Sequence, residues 1–309
     1  MGVLDEIRGS CAAVAAQASR VRVVEARLES YAAELVAAPR VPDTDPGRMR
    51  LETVDDTVAF VVVLDAVNFG SGWFPVLRKR DGMSGYHTIS SIFRDRVGAP
   101  ETAWLASVTA EECCALFDQD PASEAAELMA HFAAAWNQLG RLLLDRYDGS
   151  AVGLVESAAH SAEALVDALR AAPYFEDRRT YRGIDVAFYK RAQIVAADLD
   201  LALDGAGPGR FDDLGRLTIF ADNLVPHVLR VDGVLELDPA LAARIDAGGL
   251  LEEGSEDEVE LRACAVHAVE LLTVPTGRTA ADLDNLLWNR GQGPAYKAIP
   301  RPRCRTVSY

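Results

Sequence analysis

The chain has 309 residues, half of them hydrophobic, enough for a sizeable core in one large domain or two tightly joined ones. Lys and Arg total 31 against 47 Asp and Glu, a formal net charge of −16, which argues against a polynucleotide or an anionic membrane as partner. Neither the five cysteines (Cys11, Cys113, Cys114, Cys264, Cys304) nor the five histidines fall into a metal-ligand spacing, and the thiols read as reduced. The opening MGVLDEIRGSC lacks a secretory apolar stretch, and no run reaches the roughly 18 apolar residues of a membrane span. The expectation is a cytoplasmic protein.

In chain order, the apolar spacing and the Ala, Glu and Arg content of residues 3–37 predict helix. Prolines break it, and a loop is expected over about 36–47. The apolar run from Val58 to Leu64 could be a buried strand or a buried helix; Asp55, Asp56 and Thr57 ahead of it favour helix. Thr109-x-x-Glu112 is a capping-box pattern that opens a short helix over 109–119. Ala-rich amphipathic helices are expected over 122–147 and 151–171, a small hairpin around Arg182-Gly183, and a helix over 185–204. Further helices are expected over 217–233 and 259–274, with a glycine-rich acidic loop between them. DLDNLLWN predicts a last short helix, and the tail AIPRPRCRTVSY an extended segment. The whole reads as mainly α, a single helical domain with few short strands, in which residues 1–50 pack as an N-terminal helix and loop on 51–309.

No nucleotide-binding glycine loop, nucleophile elbow or metalloprotease helix is present. Four segments combine a carboxylate or amide with aromatic or apolar neighbours: LDAVNFGSGWFP (Asp65, Asn68, Phe69, Trp73), FYKRAQIVAADLD (Tyr189, Lys190, Gln193, Asp198), FADNLVPHVLR (Asp222, Asn223, His227) and DLDNLLWN (Asp284, Trp288). Such sets suit a flat heterocycle, which stacks on a ring and offers paired N–H groups to a carboxylate. On spacing alone the plainer reading weighs more: an Asp after an apolar run is commonly a cap, and Lys190-Arg191 a solvated pair.

The segments also resemble, in order, those of the queuosine-salvage family. LDAVNF is followed by SGY, GSAVGLVESAAHSAEALV, AFYKRAQIVAADL, IFADNLVPHVL, VELRACAVHAVELL, LLWN and a closing RCRTVSY, from about residue 55 to 309. KRAQIVAAD and FADNLVPHVL are the specific parts. The chain departs from the family in NFGSGW, longer before Phe74, and in FADNL, where the family has an aromatic and a cation at 223 and 224.

The resemblance implies a mainly helical fold like that of DNA glycosylases. It also implies hydrolysis of the N-glycosidic bond of queuosine 5′-monophosphate to queuine and ribose 5-phosphate, without metal or organic cofactor. Breaking that bond builds positive charge on the sugar. Queuine, a 7-deazapurine, has no N7 to protonate, so a carboxylate against C1′ must carry much of the stabilisation. Asp198, in the most specific motif and after an apolar approach, is expected to be that carboxylate, with Asp222 second. Asp65, Asp222 or Asp284 would accept the base edge, Phe69 and Trp288 would stack, and Asn68 and Asn223 would meet the cyclopentenediol. Lys190, His227, Tyr296 and Lys297, with Arg303 and Arg305 behind them, are the expected phosphate donors. Queuosine 5′-monophosphate, queuosine and queuine are the expected ligands, with no direct nucleic-acid contact. A non-catalytic binder of modified bases and a DNA glycosylase or lyase are the rival readings.

Overall fold

The computed structural model describes residues 2–38 and 48–309. It is mainly helical, with four short strands among the described residues. Helices α1 (Val3–Gln17) and α2 (Glu25–Ala37) are interrupted by strand β1 (Val21–Val23), so the expected helix over 3–37 is two. The cause is a buried carboxylate: Glu260 Oε2 accepts the backbone N–H groups of Ser19, Arg20 and Val21 at 3.0, 2.6 and 2.9 Å. That turns the chain, and the β-branched Val21 and Val23 then favour an extended segment. The loop expected over 36–47 lies outside the described residues from 39 onward.

Helix α3 (Val54–Asp65) is buried on nearly all sides after its first turn, as a core helix with no polar face should be. Thr53 is its cap, accepting from the Asp56 amide at 3.0 Å; Asp55, Asp56 and Thr57 already lie within the first turn. Helices α4 (Gly85–Arg96) and α5 (Thr102–Leu105) follow where no element was expected. Helix α6 (Ala110–Leu116) carries the expected Thr109–Glu112 capping box, and α7 (Ala125–Arg146) is the expected long amphipathic helix.

The helix expected over 151–171 is two, α8 (Ala151–Ser157) and α9 (Ala162–Leu169). Between them Ala159 and His160 take positive φ, and Asp213 holds the new start through the Ser161 hydroxyl and the Ala162 amide. Strands β2 (Arg178–Tyr181) and β3 (Ile184–Ala187) pair around Arg182 and Gly183, both at positive φ, the geometry of a tight two-residue hairpin turn. Helix α10 begins only after that hairpin (Lys190–Leu203). Likewise α11 is confined to Leu224–Val231, with 217–223 irregular ahead of it, and β4 (Leu235–Leu237) pairs antiparallel with β1. Helices α12 (Pro239–Asp246), α13 (Glu256–Thr276), α14 (Ala280–Gly291) and α15 (Pro294–Lys297) complete the order.

These elements form two compact units, each assembled from separated stretches of chain. The first comprises α1, β1, α2, the β2–β3 hairpin through Lys190, and residues 215–305. Helix α13 is its axis, with α1, α2, β1, α11 and α14 packed on it. Inside lies Arg262, 1 % exposed, paired with Asp177 by two bonds of 3.0 and 2.6 Å. Its guanidinium also stacks on Phe188 and donates to the Ala221 carbonyl at 2.9 Å. The second unit comprises residues from α3 through Glu176, Arg191–Leu214 and the last four residues. Its core is aromatic: Phe93, Phe117 and Phe132 surround Trp136, whose indole N–H donates to the Val63 carbonyl at 2.9 Å. All five cysteines are buried as free thiols.

Candidate active site

The first unit gathers three expected residues, Asp222, Asp284 and Lys190. Asp222 sits in the irregular turn before α11, where its Oδ1 accepts the Leu224 and Val225 amides at 2.7 and 3.1 Å. These are orphan N–H groups of a helix start, which makes the bond local and the side-chain position fixed. Oδ2 of the half-buried Asp222 makes no hydrogen bond to the described residues.

Asp284, on α14, is 5 % exposed, and its Oδ1 accepts the Phe220 amide at 2.9 Å. Burial and the neighbouring Asp222 push its carboxyl well above the ordinary range, against smaller opposing contributions from the Phe220 amide and Lys190. Burial and Asp222 thus favour the protonated form of Asp284, the pattern in which two similar groups take different roles. Lys190, the first residue of α10, is buried, with its backbone N–H on Asp177 Oδ2 at 3.3 Å. Its charge acts on the Asp284 carboxyl, opposing the rise.

Other expected residues of this unit have structural partners. Asn223 is buried and donates from Nδ2 to the Pro302 carbonyl at 2.9 Å. His227 is buried on α11, with Nε2 3.0 Å from the Tyr296 carbonyl; that contact makes Nε2 the protonated nitrogen. Burial pushes its imidazole below the usual range. The Tyr296 hydroxyl donates to Asp232 Oδ1 at 2.7 Å, in a network with Tyr31 and Arg290. Trp288 is half-buried one turn beyond Asp284, and Lys297 is exposed.

The second unit holds another group. Asp198 is half-buried on α10, and Asp65 is buried at the end of α3, with Asn68 Nδ2 donating to it at 3.2 Å. Both act electrostatically on Tyr86, at the start of α4, whose phenol is pushed up by burial and then by these two carboxylates. Phe69 is packed edge-on against Phe132, and the Arg191 guanidinium lies 4.8 Å from its ring centroid. A surface depression of about 520 Å³ in this unit, lined by Arg50, Glu52, Asp56 and Arg94 among others, contains none of these residues. Charge and burial, not cavity size, mark the candidates.

Three residues with a claim on function were not singled out by sequence reasoning: Tyr86, Phe220 and Arg301. Tyr86 lies in the quoted SGY and Phe220 opens the FAD run, so the motifs were visible while the roles were not. Arg301 lies between Pro300 and Pro302, where burial pushes its guanidinium below the usual range.

The molecule is mainly helical, and a half-buried carboxyl at a helix start, Asp222, acts on the buried Asp284, an arrangement suited to the acid–base work of a hydrolase. The chain matches the family described as Queuosine salvage protein over residues 49–309, and it belongs to that family. It is 36 % identical over 263 residues to a protein of Sphaerobacter thermophilus named queuosine 5′-phosphate N-glycosylase/hydrolase, covering 81 % of this chain and 80 % of that one. Proteins of the same name from Dictyostelium discoideum and Mus musculus are 32 % and 31 % identical. They cover 82 % and 69 % of this chain and 78 % and 68 % of their own.

Proposed function

We propose that the chain hydrolyses the N-glycosidic bond of queuosine 5′-monophosphate, releasing queuine and ribose 5-phosphate for salvage of the tRNA base. Family membership and the shared name of its relatives support the reaction. The observation that carries the site is the raised carboxyl of Asp284 beside Asp222. In this reading the open oxygen of Asp222 faces C1′ as the sugar becomes oxocarbenium-like, stabilising the charge and then attacking C1′ or activating water. The neutral Asp284 gives its proton to the departing base, which has no N7 to take one from solvent, and recovers a proton from the water consumed. Phe220 and Trp288 are the rings proposed to stack on the base.

A second reading keeps Asp198 as the sugar-facing carboxylate, favoured by the pressure that it and Asp65 exert on the Tyr86 phenol. Parallel turnover assays of Asp222→Asn and Asp198→Asn on queuosine 5′-monophosphate separate the two. Loss of the main electrostatic group costs well over a hundredfold. We expect that loss in Asp222→Asn. If Asp222→Asn keeps a tenth of wild-type rate while Asp198→Asn is silent, the second reading holds. A catalytically inert binder would release no queuine even with enzyme in excess over substrate.

Free queuosine is proposed as a poorer substrate and queuine as the bound product. Intact nucleic acid and membrane are not proposed as partners, and no cofactor is invoked. The site of action is proposed to be the cytoplasm; among the described residues no helix is long and apolar enough to cross a membrane. The family match over residues 49–309 draws on stretches of both units, which supports one catalytic domain there, and the N-terminal helices are grouped with the first unit.

A further inference from the structure

We propose that the buried Asp177–Arg262 pair is a positioning device for the acid–base site, resting on the reading of Asp222 and Asp284 given above: it fixes the start of α10, and with it Lys190, against the turn that carries Asp222. One side of the device is a strained residue. Tyr189, fully buried between β3 and α10, has a φ of 49°, in the left-handed region that a bulky side chain avoids. Such a backbone persists only where its surroundings over-determine it, and strain of this kind gathers at functional sites. Asp177 supplies the constraint from both ends. Its backbone carbonyl accepts the Phe188 amide at 3.0 Å, and its Oδ2 accepts the Lys190 amide at 3.3 Å. The residues before and after Tyr189 are thus held by one aspartate.

The other side is Arg262. Its guanidinium meets both Asp177 oxygens, at 3.0 and 2.6 Å, and lies 3.9 Å from the Phe188 ring centroid. Its Nε donates to the Ala221 carbonyl at 2.9 Å, and Ala221 immediately precedes Asp222. Glu258, a second carboxylate on Arg262, stands farther off at 3.5 Å. One planar fork therefore reaches two segments at once, which the point charge of a lysine cannot do. Both segments bear on Asp284: Asp222 and Lys190 are the charged groups acting on its carboxyl, the first raising it and the second opposing the rise. A buried ion pair adds little net stability over apolar residues of the same volume, so placement accounts for this one better. A shift of about 1 Å in a placed group can cost on the order of a hundredfold in rate.

The test compares pH profiles of kcat and KM on queuosine 5′-monophosphate for wild type, Asp177→Asn, Arg262→Lys, Lys190→Met and the double variant Asp177→Asn/Lys190→Met. We expect Asp177→Asn and Arg262→Lys each to lower kcat about tenfold or more with KM within about threefold. Both should also move the alkaline limb to higher pH, because Lys190 no longer opposes the rise of the Asp284 carboxyl. Direct loss of the Asp177 charge would move the limb the other way, and Arg262→Lys changes no charge. In the double variant the limb should stay where Lys190→Met puts it. A lower melting temperature with kcat and the limb unchanged in both variants would reduce the pair to a structural role and overturn the proposal. If the limb survived Asp284→Asn, the acid would be misassigned. The Asp284 carboxyl, followed by carboxyl-carbon NMR and assigned by its absence from Asp284→Asn, would then decide: an upward move in both variants supports the placement, and an unmoved titration rejects it. Circular dichroism melts identify any variant that fails to fold, and Asp177→Glu, which keeps the charge on a longer arm, takes its place with the same expected direction.

Discussion

At the residue scale, the pairing of Asp222 with Asp284 has a consequence for pH. Asp284 must carry a proton to serve as an acid, and its carboxyl lies well above the ordinary range. Turnover should therefore fall as pH rises through that raised value, and Asp284→Asn should lower the rate and abolish that alkaline limb. A pH profile in which the limb survives the substitution assigns it to another group. Tyr86 offers a second check: Tyr86→Phe removes the hydroxyl that Asp198 and Asp65 act on while keeping the ring. The melting temperature should change little. A fall in kcat/KM of about tenfold, at the low end of what one lost hydrogen bond to a charged group costs, would bring this group into the chemistry. The sequence showed these residue types but not their company. FADNL and DLDNLL both read as a carboxylate near an apolar run. Only folding brings Phe220's amide to Asp284 across 64 positions, and no periodicity encodes that contact.

At the element scale, the legible features were those that depend on neighbours in sequence. The Thr109–Glu112 box, the hairpin at Arg182-Gly183 and the buried helix α3 follow from local spacing. The features that were not legible depend on distant side chains. Helix α1 ends because Glu260 draws three amides to itself, and α8 parts from α9 because Asp213 caps a second start. Strand β1 exists because its partner β4 lies more than two hundred residues away. The same logic governs stability around the site. Arg262 holds Asp177 on one side and the Ala221 carbonyl on the other, one residue from Asp222. Arg262→Met would leave Asp177 buried without its counter-charge, at a cost of about 3–5 kcal/mol in urea unfolding. Burial alone would raise the Asp177 carboxyl, but Arg262 holds it below the ordinary range. Its contribution is thus present above the carboxyl's unfolded value and is lost as pH falls through the native one. The acid-unfolding transition should flatten in Arg262→Met relative to wild type.

At the scale of the whole molecule, the net charge of −16 bears on the size of the substrate. A mononucleotide brings one phosphate to an acidic surface; a polynucleotide brings a continuous line of them. Purified enzyme should therefore release queuine from the mononucleotide but not from intact queuosine-containing tRNA at physiological salt. Release from tRNA at a comparable rate would remove charge as a basis for substrate choice. The chain's path also bears on how it folds. Each unit draws on separated stretches, so neither is complete until the last third of the chain is in place. No pattern in the chain marks this, because the segments carry the same helical patterning throughout and their allocation is set by packing.

The five buried thiols give the protein a built-in unfolding gauge. Burial pushes Cys113, Cys264 and Cys304 up to about 12, so little reactive thiolate forms near neutrality and the sulfurs are shielded as well. Cys11 and Cys264 lie in the first unit and Cys113 and Cys114 in the second. The rate at which an alkylating reagent counts them off, read by mass for each peptide, would report the opening of each unit separately, without any engineered label.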